Sequence, residues 1–125
     1  MKKEIIATKD APAAVGPYSQ AVRSGSTIYV SGQVPIDPET GKMPETIEEQ
    51  AKQCLKNIQA ILKSVDAGME NVVRCGIFMT NLDDFKTVNE IYASFFSGDY
   101  PARATVEVAR LPLGAMIEID AIAEV

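Results

Sequence analysis

The sequence predicts an α+β fold, a six-stranded mixed sheet with two helices on one face. Three observations point there. Two windows repeat apolar residues at three- and four-residue steps, the period of a helix. Six shorter windows are apolar or alternating and are punctuated by Gly, Pro, Ser and Asn, as strands are. The helices fall between strands, in the order β-β-β-α-β-α-β-β. Some strand pairs must therefore run parallel, through right-handed crossovers, while the hairpins run antiparallel. The 125 residues suit one domain, residues 1–125.

Taken in order, Ile5, Ile6 and Ala7 read as a short first strand. Residues 11–17 then break regular structure, because Pro12 and Pro17 have no amide to donate. Residues 18–23 and 27–31 read as strands joined by Ser24-Gly25-Ser26, a hairpin signal. Residues 35–44, with Asp37-Pro38 and Thr40-Gly41, form a turn-rich loop. Thr46-Ile47-Glu48-Glu49 matches a capping box and opens the first helix. Its apolar stripe runs through Ile47, Ala51, Cys54, Leu55, Ile58, Ile61, Leu62 and Val65, with Gly68 as the stop. Lys52, Gln53, Lys56 and Lys63 fall on the far side. Residues 72–80 read as a mostly apolar strand. Residues 81–84 open a second helix whose stripe is Phe85, Val88, Ile91, Tyr92, Phe95 and Phe96, ended by Gly98 and Pro101. Residues 104–109 and 116–124 are the last two strands.

Two helices on one side cover one face of such a sheet. Apolar residues occur on both parities of the strand at 72–80, and Ile117, Ile119, Ala121 and Ala123 alternate along the last strand. Part of this is expected on the uncovered face, where burial stabilises by roughly 25 cal/mol per Å². Self-association through that face is the expectation.

Composition narrows the chemistry. Hydrophobic residues make up 46% and charged residues 23%, a soluble globular mix. The net charge of −5 disfavours nucleic acid as a partner. There is no histidine, so no Ser-His-Asp or Cys-His pair and no His metal ligand can form. Chemistry must run on carboxylates, Arg, Lys, Tyr, hydroxyls, backbone groups and water. Cys54 and Cys75 are too few for a disulfide framework and read as small core residues. No run approaches the ~20 apolar residues of a membrane span, and no signal peptide is recognisable. A cytoplasmic protein with no membrane partner is expected. Neither GxGxxG nor GxxxxGK[ST] occurs.

Several residues are candidates for a site, each with a plainer reading. Arg103 follows Tyr100-Pro101-Ala102 at a strand start, where a constrained stem can aim a bidentate fork at a carboxylate. Alone, it also reads as a surface arginine. Glu118 and Asp120 share a parity with Met116, Ile122 and Glu124; this is a wet face unless a cleft covers it, where a carboxylate can orient or deprotonate water. Tyr18 offers a phenol or is a rim aromatic. Ser31-Gly32-Gln33 ends a strand, and Gly32 permits close approach of a ligand or simply a bend. Asn89 lies in the second helix, facing either solvent or a cleft.

Together these motifs resemble the reactive intermediate deaminase family, RidA-type or YjgF. The resemblance runs from Ile5 to Val125 through residues 14–21, 31–35, the helix from Gln50, residues 81–85, 100–112 and 117–123. Its strongest part is Tyr100-Pro101-Ala102-Arg103-Ala104-Thr105-Val106-Glu107. It implies a chorismate-mutase-like fold assembled as a homotrimer with clefts between subunits. It also implies hydrolysis of short enamine or imine acids, such as 2-aminoacrylate, 2-iminopropanoate or 2-iminobutanoate, to 2-keto acids and ammonia. No metal or cofactor is implied. Arg103 matches the family's carboxylate-binding arginine and Glu118 its water-associated acid; Tyr18, Gly32 and Asn89 also fall on family positions, and Ser31 adjoins Gly32. Thr105 stands where many members have cysteine, so no thiol nucleophile exists there, although its amide and hydroxyl can still meet a carboxylate. A non-catalytic trimer that binds small keto acids would use the same Arg103 clamp.

Overall fold

The structure, a computed structural model, describes residues 2–125. Its strands are β1 (Glu4–Ile6), β2 (Ala21–Ser24), β3 (Thr27–Gln33), β4 (Val72–Met79), β5 (Ala102–Glu107) and β6 (Ile117–Glu124); its helices are α1 (Ile47–Lys63) and α2 (Phe85–Ala93). They form one six-stranded sheet in the order β1-β2-β3-β6-β4-β5. The expected α+β class and element order are present.

Only β4 and β5 are parallel neighbours; every other pairing is antiparallel. β3 and β4 run the same way, but the last strand, β6, lies between them. That insertion puts the C-terminal strand at the centre, where β3 and β4 satisfy both its edges.

The hairpin between β2 and β3 closes on Gly25 at φ 62°, with Ser24 opposite Thr27. β2 starts at Ala21 rather than 18, because the chain turns at Gly16, whose carbonyl accepts the Tyr18 amide at 2.8 Å. β3 runs on to Gln33 through a bulge between Val30 and Gln33 that carries Ser31 and Gly32. Bulges re-aim side chains and are frequent next to functional sites. β5 starts at Ala102, two residues earlier than expected. A two-residue shift keeps parity, so no side chain changes face.

Thr46 caps α1, its hydroxyl accepting the Glu49 amide at 3.2 Å. The helix stops at Lys63, before Gly68. Asp66 takes the left-handed turn at φ 58°, and the Ala67 amide reaches back to the Leu62 carbonyl at 2.9 Å. This six-to-one closure usually employs glycine, but Asp tolerates that conformation better than most residues. α2 ends at Ala93, so Phe95 and Phe96 pack on the core from the turn beyond it.

α1 packs on β3, β6 and α2, and one apolar cluster joins the helices to the sheet. Cys54 and Cys75 are free and buried within it. Ile117, Ile119, Ala121 and Ala123 all lie under the helices, which corrects the expectation that they help to leave an apolar face bare. A register shift between Val72 and Arg74 likewise buries Val72 and exposes Val73. The uncovered face draws its apolar surface elsewhere. The pairings set Ile5, Val22, Tyr29 and Ile122 in a row across β1, β2, β3 and β6, with Phe78 and Val106 beyond. Tyr29 is 50% and Ile5 59% exposed. No described helix is long and apolar enough to cross a membrane.

Candidate active site

Arg103 lies on the edge strand β5, opposite Cys75 of β4. Residues paired across a ladder share a face, and Cys75 is buried under the helices, so Arg103 points to the helix side. There its guanidinium carbon sits 4.9 Å from the centre of the Tyr92 ring and 5.6 Å from that of Phe85. Two aromatic faces from α2 thus steer the fork, each contact contributing on the order of 0.5–2 kcal/mol. Asn89, Tyr92, Ala93, Tyr100, Pro101 and Arg103 line an open cleft. Thr105, two residues along β5, faces the same way opposite Ile77. Its hydroxyl is buried without a hydrogen-bond partner.

Tyr92 is only 4% exposed, and its hydroxyl also lacks a partner of ordinary geometry, although the Cys75 thiol is nearby. Burial is the main cause that pushes this phenol well above its usual range, with Cys75 adding to it.

Glu118 lies elsewhere. It pairs with Phe78, and Asp120 with Gly76, on the alternate parity of β4. Both carboxylates therefore point to the face without helices, away from Arg103. Burial, and after it the charge of Asp120, raises the Glu118 pKa above the usual carboxylate value. A Cβ built on Gly32 would stand 2.4 Å from Glu118 Oε2 and 2.8 Å from its Cδ. Gly32 thus leaves room for the carboxylate to lie across the bulge. Ser31 adjoins it, its hydroxyl donating to the Ser19 carbonyl at 2.6 Å and its amide to the Gln20 carbonyl at 3.0 Å. Those two bonds hold the loop that carries Tyr18, a side chain 51% exposed.

The candidate residues therefore form two half-sites. Arg103, Thr105 and Asn89 belong to one. Glu118, Gly32 and Ser31 belong to the other, with Tyr18 on the adjoining loop. One chain does not bring the halves together. Among the described residues no group of three or more His, Cys, Asp or Glu is placed to hold a metal ion.

A family model described as Endoribonuclease L-PSP matches residues 8–125. The chain belongs to this family, known by its members as RidA or YjgF. A mouse protein named 2-iminobutanoate/2-iminopropanoate deaminase is 50% identical over 122 residues, covering 97% of this chain and 90% of its own length. A solved structure of YyfA, a Rid-family protein of Yersinia pestis, superposes with a TM-score of 0.97 at 48% identity, covering 99% of this chain and 100% of that one. The YjgF gene product of E. coli superposes with a TM-score of 0.94 at 45% identity, covering 97% and 98%.

Two contributors escaped the sequence reading. Tyr92 was legible only as part of an apolar stripe, yet its ring is the platform under Arg103. Gly76 passed unremarked within an apolar strand, although an interior strand glycine signals a close approach. Here Asp120 makes that approach.

Proposed function

We propose that the protein hydrolyses short enamine and imine acids, 2-aminoacrylate and its 2-iminopropanoate tautomer or 2-iminobutanoate, to the 2-keto acid and ammonia. Arg103 carries this reading. It is a guanidinium set over two aromatic rings and open to a cleft that admits a small acid, with the unpartnered Thr105 hydroxyl two residues along the same strand face. The name of the mouse relative supports the same chemistry.

Arg103 binds the substrate carboxylate, assisted by the Thr105 amide and hydroxyl, and fixes C2 in place. Glu118 orients a water against C2 and takes its proton as the C–O bond forms. The C=N π pair moves to nitrogen, giving a carbinolamine. Protonation of nitrogen then lets ammonia leave as the C=O forms. Asn89 and Tyr18 bound the pocket, and Tyr18 or the backbone at Gly32 holds the departing nitrogen. The step needs no oxidant or reductant.

The site is completed between copies of the chain, in a homotrimer of the chorismate-mutase-like arrangement, with Arg103 from one subunit and Glu118 from the next. The opposite facing of these two residues and the uncovered apolar row from Ile5 to Ile122 support this. A pure binder would use the same clamp, but the raised Glu118 pKa suits a base rather than a bystander. RNA cleavage, the activity in the family description, gains nothing from a chain of net charge −5 without histidine.

The test supplies 2-aminoacrylate freshly made by a pyridoxal-phosphate dehydratase and follows ammonia and keto acid above the spontaneous rate. Acceleration by the wild-type protein and its loss in Arg103→Ala, with the assembly intact, support the reading. Full turnover by Arg103→Ala overturns it.

A further inference from the structure

We propose that Asp120 is a positioning residue for Glu118: pinned to the Gly76 amide, it holds a negative charge beside that carboxylate and so sets how firmly Glu118 binds the proton it takes from water. The inference rests on the deamination reading above.

The geometry is specific. Asp120 Oδ1 accepts the Gly76 N–H at 2.8 Å across the β4–β6 ladder. A Cβ on Gly76 would stand 2.6 Å from that oxygen, so no other residue admits Asp120 in this pose. A carboxylate–amide bond of this kind is charge-assisted and fixes the side chain. Glu118 lies two residues earlier at the same parity, ~7 Å along the strand, and Gly32 lets it lie flat in turn. Two glycines on the flanking strands thus seat two neighbouring carboxylates against one sheet face.

Within one chain few other groups face Glu118, and in the proposed assembly the Arg103 of the neighbouring copy faces it as well. Phe78 sits directly opposite and is apolar. Tyr29 of β3 and Arg74 of β4 face the same side but pair with Ile122, four residues on. From below the sheet, Cys54 of α1 feels the Glu118 charge and its own pKa rises, burial being the larger cause. Burial and Asp120, in that order, are the causes that raise Glu118 itself. A base weakly held as carboxylate takes protons from water more readily near neutral pH.

Asp120→Asn separates charge from shape, because the amide oxygen still accepts from Gly76. Two readouts apply: the acid limb of the kcat/KM profile for imine hydrolysis, and the titration midpoint of the Glu118 carboxyl carbon by NMR in ligand-free protein. Both are expected to move to lower pH, with a few-fold fall in plateau kcat as the base weakens. Asp120→Ser, smaller and neutral, must move both the same way, which keeps the test open should Asp120→Asn not fold. Unmoved midpoint and limb overturn the inference, even where stability falls, since a purely structural Asp120 affects stability alone. The deamination reading has its own arm: Glu118→Gln inactive leaves it standing, whereas Glu118→Gln with wild-type turnover removes it.

Discussion

Replacing Gly32 with alanine tests how finely Glu118 is placed. The new Cβ would lie 2.4 Å from Glu118 Oε2, while ordinary contact needs ~3.4 Å or more. The carboxylate must therefore retreat by about 1 Å, and a misplacement of that size costs on the order of 100-fold in rate, or about 2.7 kcal/mol of barrier. The backbone at Gly32 is not in the left-handed region, so alanine fits without strain, and the atom that must yield is the end of a flexible side chain. Stability should hold or rise by about 0.4–1 kcal/mol as the unfolded chain loses freedom. The assay is steady-state imine hydrolysis alongside thermal unfolding. kcat is expected to fall ~100-fold, with unchanged affinity for the keto-acid product, since the proposed Arg103 clamp is untouched. Gly32→Ala combined with Glu118→Gln should be no slower than Glu118→Gln alone, because both act through one carboxylate. Unchanged kcat in a folded Gly32→Ala would refute the reasoning that the seat of Glu118 matters.

Two further substitutions have opposite signatures. Glu118 has its pKa raised by folding, so the native state holds its proton more tightly than the unfolded chain, and stability falls as pH rises from the ordinary carboxylate pKa to the raised one. Glu118→Gln lacks this penalty: it should melt higher than wild type at about pH 7.5 and equal to it at about pH 4, while losing activity, and equal melting at both would contradict the burial argument. Tyr92→Phe keeps the ring under Arg103 and removes a buried, unpartnered hydroxyl. It should leave turnover intact and raise stability by about 1 kcal/mol, as measured by denaturant unfolding; a loss of activity would show that the hydroxyl meets the substrate.

The helices were legible because local signals agree. A cap at Thr46 and an unbroken stripe from Ile47 to Leu62 need no tertiary information. The strands and their parities were also legible, which is why Glu118 and Asp120 were correctly grouped. The faces were not. Which parity of β6 is covered depends on β6 lying between β3 and β4, a long-range pairing that no local window reports. The same applies to the polar groups that shape the core. Gln50 accepts the Met116 amide and donates to the Pro44 carbonyl, both at 2.8 Å. Asn57 donates to the carbonyls of Val34 and Ile36 at 3.3 and 3.0 Å. Each is buried and ties α1 to a loop, but at helical spacing an amide looks like surface. Arg103 and Asn89, far apart in sequence, meet in one cleft because β5 pairs beside β4 and under α2. The motif supplied the candidates, and the register shows how they divide between the two faces.

The most direct test of the account is subunit complementation. Arg103→Ala and Glu118→Gln, each inactive alone, are unfolded together, refolded as a mixture and assayed for imine hydrolysis. If each cleft takes Arg103 from one copy and Glu118 from its neighbour, random assortment restores about one cleft in four, and activity returns to roughly that fraction. Activity that stays at the level of the separate variants, in refolded and fully assembled protein, would contradict a site shared between chains.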